Sequence, residues 1–313
     1  MMKLYVVLAT MALSVVLFSC QDKDKNGKPL DTATSGSIRI VADESLRPLI
    51  ETEVEVFNSL YTRAHIDVDY LSEVEAIDRL MSDCVKVAVV TRPFLKEEWE
   101  YYKKLKINPD TVWVATSSVA LIVNQTRQDS LISVDQIQDI LQGKTTRWKQ
   151  LGSKKDAGIE IVFDNPTSGL VRYLKDSIAD VDSLPPNCYA VNNNEAVVDY
   201  VLKNENAIGL IGVEWISDDP VTNTFLKKVR VMGVKNDSTH FKPYQAYMAL
   251  KYYPLLRRIY VLNRETRTGL GHGFGSFLAS ERGQRIILKT GLVPVKMPVR
   301  IIQVNPKPFE VTK

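Results

Sequence analysis

Apolar residues along this chain fall in short blocks that switch between strand spacing and helix spacing. Ile38-Arg-Ile-Val41 predicts a strand, and Leu46, Leu49, Ile50, Val54, Phe57 and Leu60 follow at helical spacing, with Pro48 in the first turn. Ile66-Asp-Val-Asp-Tyr70 alternates as a strand, Val74 to Met81 predicts an amphipathic helix, and Val85 to Val90 predicts a buried strand. Glu97 to Leu105 is helical, and Val112 to Val123 is a β-branched run unusually long for one strand. Ser133-Val-Asp-Gln136 opens the next helix as a capping box.

The same alternation continues. Strands are predicted at Ile159–Phe163, Tyr189–Val191, Ala207–Ile211, Val229–Val234 and Arg258–Leu262. Helices are predicted after Ser168, at Glu195–Leu202, around Gly275–Leu278 and at Glu281–Lys289. Alternating β and α elements argue for α/β lobes with mainly parallel sheets, whose ligands bind beyond the carboxyl ends of strands. At 313 residues the chain has room for about two domains.

One stretch carries chemistry. Asp164-Asn-Pro-Thr-Ser-Gly-Leu-Val-Arg172 joins a predicted buried strand to a predicted helix start. Such a turn gathers free backbone N–H groups at the positive end of a helix dipole, the geometry of an anion site. Thr167 and Ser168 supply hydroxyls and Arg172 lies one turn in; an ordinary Ser/Thr helix cap has the same look.

Composition narrows the function classes. Hydrophobic residues make up 45% and charged residues 25%, as in ordinary globular proteins, and the net charge of +3 is dispersed, so no nucleic-acid-binding stripe is present. His65, His240 and His272 are isolated, without metal-ligand spacing. The glycines around His272 read as loop or helix entry and do not follow a strand in phosphate-loop form, which excludes a nucleotide site of that kind. Ser168 has no identifiable His/Asp partner, so no hydrolase triad can be assembled, and no cofactor is implied. Cys84 and Cys188 are expected to be small buried residues, although an oxidising compartment permits a bond between them.

The N-terminus predicts export. Lys3 precedes an uncharged, mostly apolar run from Leu4 to Phe18 that ends in Leu17-Phe-Ser-Cys20. This is the layout of a secretory signal, and the small residue before Cys20 resembles a bacterial lipobox, with Phe18 bulky for that motif. The reading is a signal peptide over 1–19, a lipid anchor at Cys20 and a flexible polar tether over 20–36. The mature chain is then expected outside the cytoplasm, held to a membrane and facing periplasm or cell exterior.

Three stretches, in order, carry a family resemblance. They are Leu141-Gln-Gly-Lys-Thr-Thr-Arg-Trp148, Asn206-Ala-Ile-Gly-Leu-Ile-Gly212, and Ser280-Glu-Arg-Gly-Gln284 with Gly291-Leu-Val-Pro294. Together they resemble the substrate-binding proteins of phosphate ABC transporters, over roughly 38–296. The resemblance implies an α/β, two-lobed periplasmic-binding-protein-like fold, type II, with two crossover segments as hinge. Lobe 1 would be 37–117 and 243–313, and lobe 2 would be 118–242. It further implies a non-enzymatic receptor, acting as a single copy, that binds inorganic phosphate or a similar oxyanion and delivers it to an inner-membrane ABC permease.

Its ligand turns map onto three places here. The first is Asp43, Glu44 and Ser45, with Ser45 as hydroxyl donor and an acidic residue accepting from a protonated phosphate oxygen. The second is Thr91 and Arg92. The third is Asn165, Thr167, Ser168, Gly169 and Arg172. This chain departs from the family at Asp164, where relatives carry arginine, at Leu170, where they carry threonine, and at Ser117-Ser118, where they often carry aspartate. Asp164 is expected to hold Arg92 or Arg172 in position.

Overall fold

The computed structural model describes residues 31–216 and 229–300. The predicted leader, Cys20 and most of the tether lie outside the described residues. From Asp31 onward the chain is docked: the Asp31 carboxylate accepts from the Leu270 N–H at 2.6 Å and pairs with Arg267.

Strands β1 (Gly36–Asp43), β2 (Ala64–Leu71) and β3 (Val87–Val90) lie parallel, linked by helices α1 (Arg47–Leu60) and α2 (Glu73–Met81). Helix α3 (Lys96–Lys104) then leads to β4 (Asp110–Asn124), which changes partner part-way along. Its residues up to Ser118 pair with β12 (Leu256–Asn263), and those from Val119 pair with β8 (Ala207–Gly212). The long β-branched run is therefore one strand shared by two half-sheets.

The second half-sheet adds β6 (Glu160–Phe163), parallel to β8 and to β7 (Cys188–Ala190). The overall order is β2-β1-β3-β12-β4-β8-β6-β7, with β9 (Val229–Val231) and β13 (Val293–Pro294) also on β4. The sheet is mixed rather than mainly parallel. β4, which passes between the halves, and β12, which follows the short helix α7 (Gln245–Ala249) and lies wholly in the first half, run against their neighbours. A small second sheet orders β11 (Thr239–Phe241), β10 (Gly233–Asn236) and β5 (Leu131–Ser133). Val229–Val234, read as one strand, is broken at Met232 into β9 and β10, which join different sheets.

Local signals are honoured where side chains reach the backbone. Ser133 and Gln136 form the reciprocal capping box of α4 (Val134–Leu141). Gly143 follows at φ +74°, a conformation that favours glycine. Trp148 is fully buried, donates from Nε1 to the Asn206 carbonyl at 2.9 Å and lies under the Arg127 guanidinium. Gln284, in α9 (Glu281–Lys289), donates to the carbonyls of Val114 and Leu278. A Cβ on Gly283 would run into the Phe277 carbonyl, so α9 can approach the end of α8 (Leu270–Leu278) only with glycine there. His272 lies in the first turn of α8, and Cys84 and Cys188 are free thiols, Cys84 exposed and Cys188 half-buried rather than fully buried.

Glu53 breaks the pattern of α1. It is fully buried, and neither carboxylate oxygen has a hydrogen-bond partner. Burial pushes its carboxyl up to about 9. The folded pKa lies above the unfolded one, so the folded chain keeps a proton that the unfolded chain has lost between pH 4.5 and about 9. Stability therefore falls as pH rises through that window, by up to ~1.4 kcal/mol per pH unit from this group. Glu53→Met is expected to melt above the wild type at pH 8, with the gap closing towards pH 5. Parallel melting curves at both pH values would refute the assignment.

Candidate functional site: a polar cluster between the lobes

Four strand ends deliver turns to one place. After β1, Asp43 accepts the Ser45 N–H at 2.8 Å and starts the short helical turn Glu44–Leu46. After β2, Ser72 caps α2 and Glu73 occupies its first position. After β3 comes Thr91. From the other half, β6 leads through Asp164 to Ser168, whose hydroxyl accepts the Val171 N–H and caps α5 (Gly169–Tyr173).

These turns join across the cleft. The Gly169 N–H donates to Asp43 Oδ2 at 2.8 Å. Arg172 donates from Nε to Glu73 and from Nη2 to Thr91 Oγ1 at 3.1 Å. Asn194, opening α6 (Asn194–Lys203), donates to Glu44 at 2.6 Å, and Trp215 Nε1 donates to the Ser45 carbonyl at 2.8 Å. Gly169 is sterically required. A Cβ there would stand 2.5 Å from Asp43 Oδ2 and 2.7 Å from Glu73 Oε2, and closer still to Thr91 Oγ1.

The expected site residues sort into two groups. Asp43, Glu44, Ser45, Thr91, Ser168, Gly169 and Arg172 converge on this junction. Arg92 instead makes a two-pronged pair with Glu98 at 2.7 and 2.8 Å, which consumes the fork that was expected to grip an anion. Asn165 and Thr167 bond each other on the exposed side of the turn, at 2.8 and 2.9 Å. Asp164 holds neither Arg92 nor Arg172; it accepts from the Ser168 hydroxyl at 2.8 Å, the nearest donor on its own turn.

Residues that sequence reasoning missed dominate the chemistry. Glu73 accepts the Thr91 N–H at 2.7 Å and its hydroxyl at 2.6 Å, besides the Arg172 bond, so a carboxylate of the chain sits on the donors an anion would use. Ser72-Glu73 follows a strand and opens a helix, the same grammar as the other turns, and was legible on that ground. Arg257, on β12 opposite Ser117, and Glu214, after β8, left no signal in their apolar surroundings.

Electrostatics here are unusual for an anion site. Asp43, Glu73, Asp164 and Glu214 are all buried. Burial, helped by Glu73 and Asp164, pushes the Asp43 carboxyl up to about 7, against the pull of Arg257 and Ser45. Burial and the Asp164 charge bring Glu44 to about 7 as well. Burial also raises Asp164 and Glu214. Glu73 goes the other way: burial pulls it up, but Arg172 and Thr91 outweigh that and hold it below the usual carboxylate range. The cluster thus combines one firmly ionised carboxylate with several acids poised to carry protons. Among the described residues, no group of three or more His, Cys, Asp and Glu side chains is placed to hold a metal ion.

The chain as a whole resembles known proteins in sequence and in fold. Residues 28–282 match the family described as PBP superfamily domain. The chain belongs to that family. Among curated members of similar sequence, the phosphate-binding protein PstS of Bacillus subtilis (strain 168) is 24% identical over 304 residues, covering 94% of each chain. A solved putative phosphate ABC transporter substrate-binding protein with bound phosphate, from Clostridium perfringens, superposes with a TM-score of 0.72. It is 25% identical and covers 83% of this chain and 100% of that one. An ABC-type phosphate transport receptor from Vibrio cholerae superposes with a TM-score of 0.65 at 20% identity, over 83% of this chain and 100% of that one, a likeness of fold. The two-lobed architecture of the PBP superfamily is therefore the frame in which the Asp43–Gly169 junction lies.

Proposed function

We propose that this chain is an extracytoplasmic receptor that binds inorganic phosphate between its lobes and passes it to an ABC permease, without catalysing a reaction. The observation that carries the reading is the convergence of Asp43, Ser45 and Thr91 from one lobe on Ser168, Gly169 and Arg172 of the other. The names of its relatives point to the same ligand. The reading includes the remaining expectations: lobes of 37–117 with 243–313 and of 118–242, a membrane anchor through Cys20, and action as a single copy. Among the described residues no helix is long and apolar enough to cross a membrane.

Buried carboxylates select among oxyanions. Phosphate near neutral pH brings its own proton and can donate to a buried carboxylate, whereas sulfate has none to give and meets only repulsion there. Charge-assisted hydrogen bonds contribute about 1.5–3 kcal/mol each, so a handful supply the roughly 8 kcal/mol of a micromolar complex. Isothermal titration should show heat with phosphate and none with sulfate or molybdate. Absence of heat with phosphate would sink the reading.

A second reading has one observation in its favour. Glu73 already takes the Thr91 and Arg172 donors, as it would in a structural or signalling lipoprotein whose anion site has decayed. Ligand present at about 100 times its dissociation constant stabilises a protein by about 2.7 kcal/mol. An unchanged melting temperature in millimolar phosphate would select this second reading.

A further inference from the structure

Arg257 is 2% exposed, yet none of its three guanidinium nitrogens has a hydrogen-bond partner. Its nearest carboxylate, Glu214, stands 3.9 Å from Nη2, too far for a hydrogen bond. Both Glu214 oxygens, Asp164 Oδ2 and the Ser45 hydroxyl are likewise buried and unpartnered. A charge taken out of water without hydrogen bonds is costly, and an ion pair at that separation does not offset the loss. Buried native polar groups are nearly always bonded, so several orphans in one region mark a place shaped for something else.

The region adjoins the ligand junction. Glu214, 3.9 Å from Arg257, shares a short helical turn with Trp215, whose Nε1 donates to the Ser45 carbonyl at 2.8 Å. The Arg257 charge accordingly acts on Asp43 and Asp164 as well as on Glu214. A Cβ on Gly212 would run into Glu214 Oε2 and come 3.1 Å from Arg257 Nη2, so glycine there leaves room for both charged groups. The other guanidinium of the junction, Arg172, is engaged by Glu73 and Thr91, and Arg92 by Glu98. Asp164 stands where the family resemblance implies an arginine.

We propose that Arg257, together with the Ser45 hydroxyl, forms a buried oxyanion subsite that supplies from β12 the cation missing from the Asp164 turn. The planar guanidinium offers paired N–H donors to two oxygens of one tetrahedral oxyanion, a geometry lysine cannot copy. The ligand class is a small inorganic oxyanion. The inference rests on the receptor reading and moves its principal charged contact from the helix turn to the strand beside the crossover.

The test titrates the full chain and its Arg257→Gln variant with phosphate, sulfate, selenate and molybdate, by calorimetry and by thermal shift. The wild type is expected to bind phosphate, and Arg257→Gln to lose at least 100-fold in affinity, together with the ligand-induced rise in melting temperature. The ligand-free melting temperature is expected to stay within a few degrees. Wild-type binding that survives in Arg257→Gln within threefold would overturn this inference alone. No binding of any of the four anions by the wild type would overturn it together with the receptor reading. Should Arg257→Gln fail to fold, Arg257→Lys keeps the charge and loses the fork. That variant is expected to bind at least tenfold more weakly, and equal affinity would overturn the proposal.

Discussion

Gly169→Ala is expected to open the lobes and weaken phosphate binding by at least 100-fold. The new Cβ would fall 2.5 Å from Asp43 Oδ2 and 2.7 Å from Glu73 Oε2, with Thr91 Oγ1 nearer still. All three atoms belong to the side chains that join the lobes. They must withdraw, which removes the Gly169–Asp43 bond and disturbs the Glu73–Thr91–Arg172 set. Bonds of that kind contribute about 1.5–3 kcal/mol each where a charge takes part, and each 1.4 kcal/mol is a factor of ten. Small-angle scattering should register a larger radius of gyration, and calorimetry the lost affinity. A variant with wild-type dimensions and wild-type phosphate affinity would show that the cleft does not close at this residue.

The second large effect is a pH dependence centred on Asp43. Its carboxyl is pushed up to about 7 from 3.8, first by burial and then by Glu73 and Asp164, with Arg257 and Ser45 opposing. The folded chain thus keeps a proton between pH 3.8 and about 7 that the unfolded chain has released, and stability falls as pH rises through that interval. Glu44 acts in the same sense, while Glu73, held below its ordinary range, adds stability that is lost as pH falls. A bound anion puts more negative charge beside Asp43 and raises its pKa further. Phosphate binding should therefore take up a proton, and affinity should fall as pH climbs past 7, by up to about tenfold per unit.

Asp43→Asn separates this from other titrations. Asp43 accepts one N–H on each oxygen, from Ser45 and from Gly169, and asparagine can accept on only one. The variant should bind about tenfold more weakly at pH 6 and approach the wild type at pH 8, with a flattened slope. Identical slopes for both proteins would show that another group carries the proton.

The residues show which parts of this reading were local. The capping box of α4 was legible because Ser133 and Gln136 bond each other's backbone within one turn. The three stretches that carry the family resemblance turn out to be architectural. Trp148 anchors the Asn206 carbonyl, Gly283 lets α9 touch α8, and Gln284 ties α9 to β4. Such contacts hold the frame together away from the junction, so they speak for the fold without reporting on the ligand. Arg92 shows the opposite case. Its sequence position suits an anion contact, but Glu98, six residues on, offers a fork of matching geometry and takes it.

The sequence by itself determined the alternating α/β elements, the unusually long strand and the strand-end turns that hold Asp43, Ser45, Thr91 and Ser168-Gly169. Each follows from apolar period or cap chemistry, which act over a few residues. Only the tertiary structure decided which charges meet. Asp43 and Gly169 are 126 residues apart and Glu73 and Arg172 are 99 apart, while Arg257 arrives on a strand near the other end of the chain. A pKa near 7, a carboxylate on the anion donors and a buried guanidinium without a partner all depend on that meeting. Burial and Coulomb interaction depend on distance through space, and sequence spacing does not encode it.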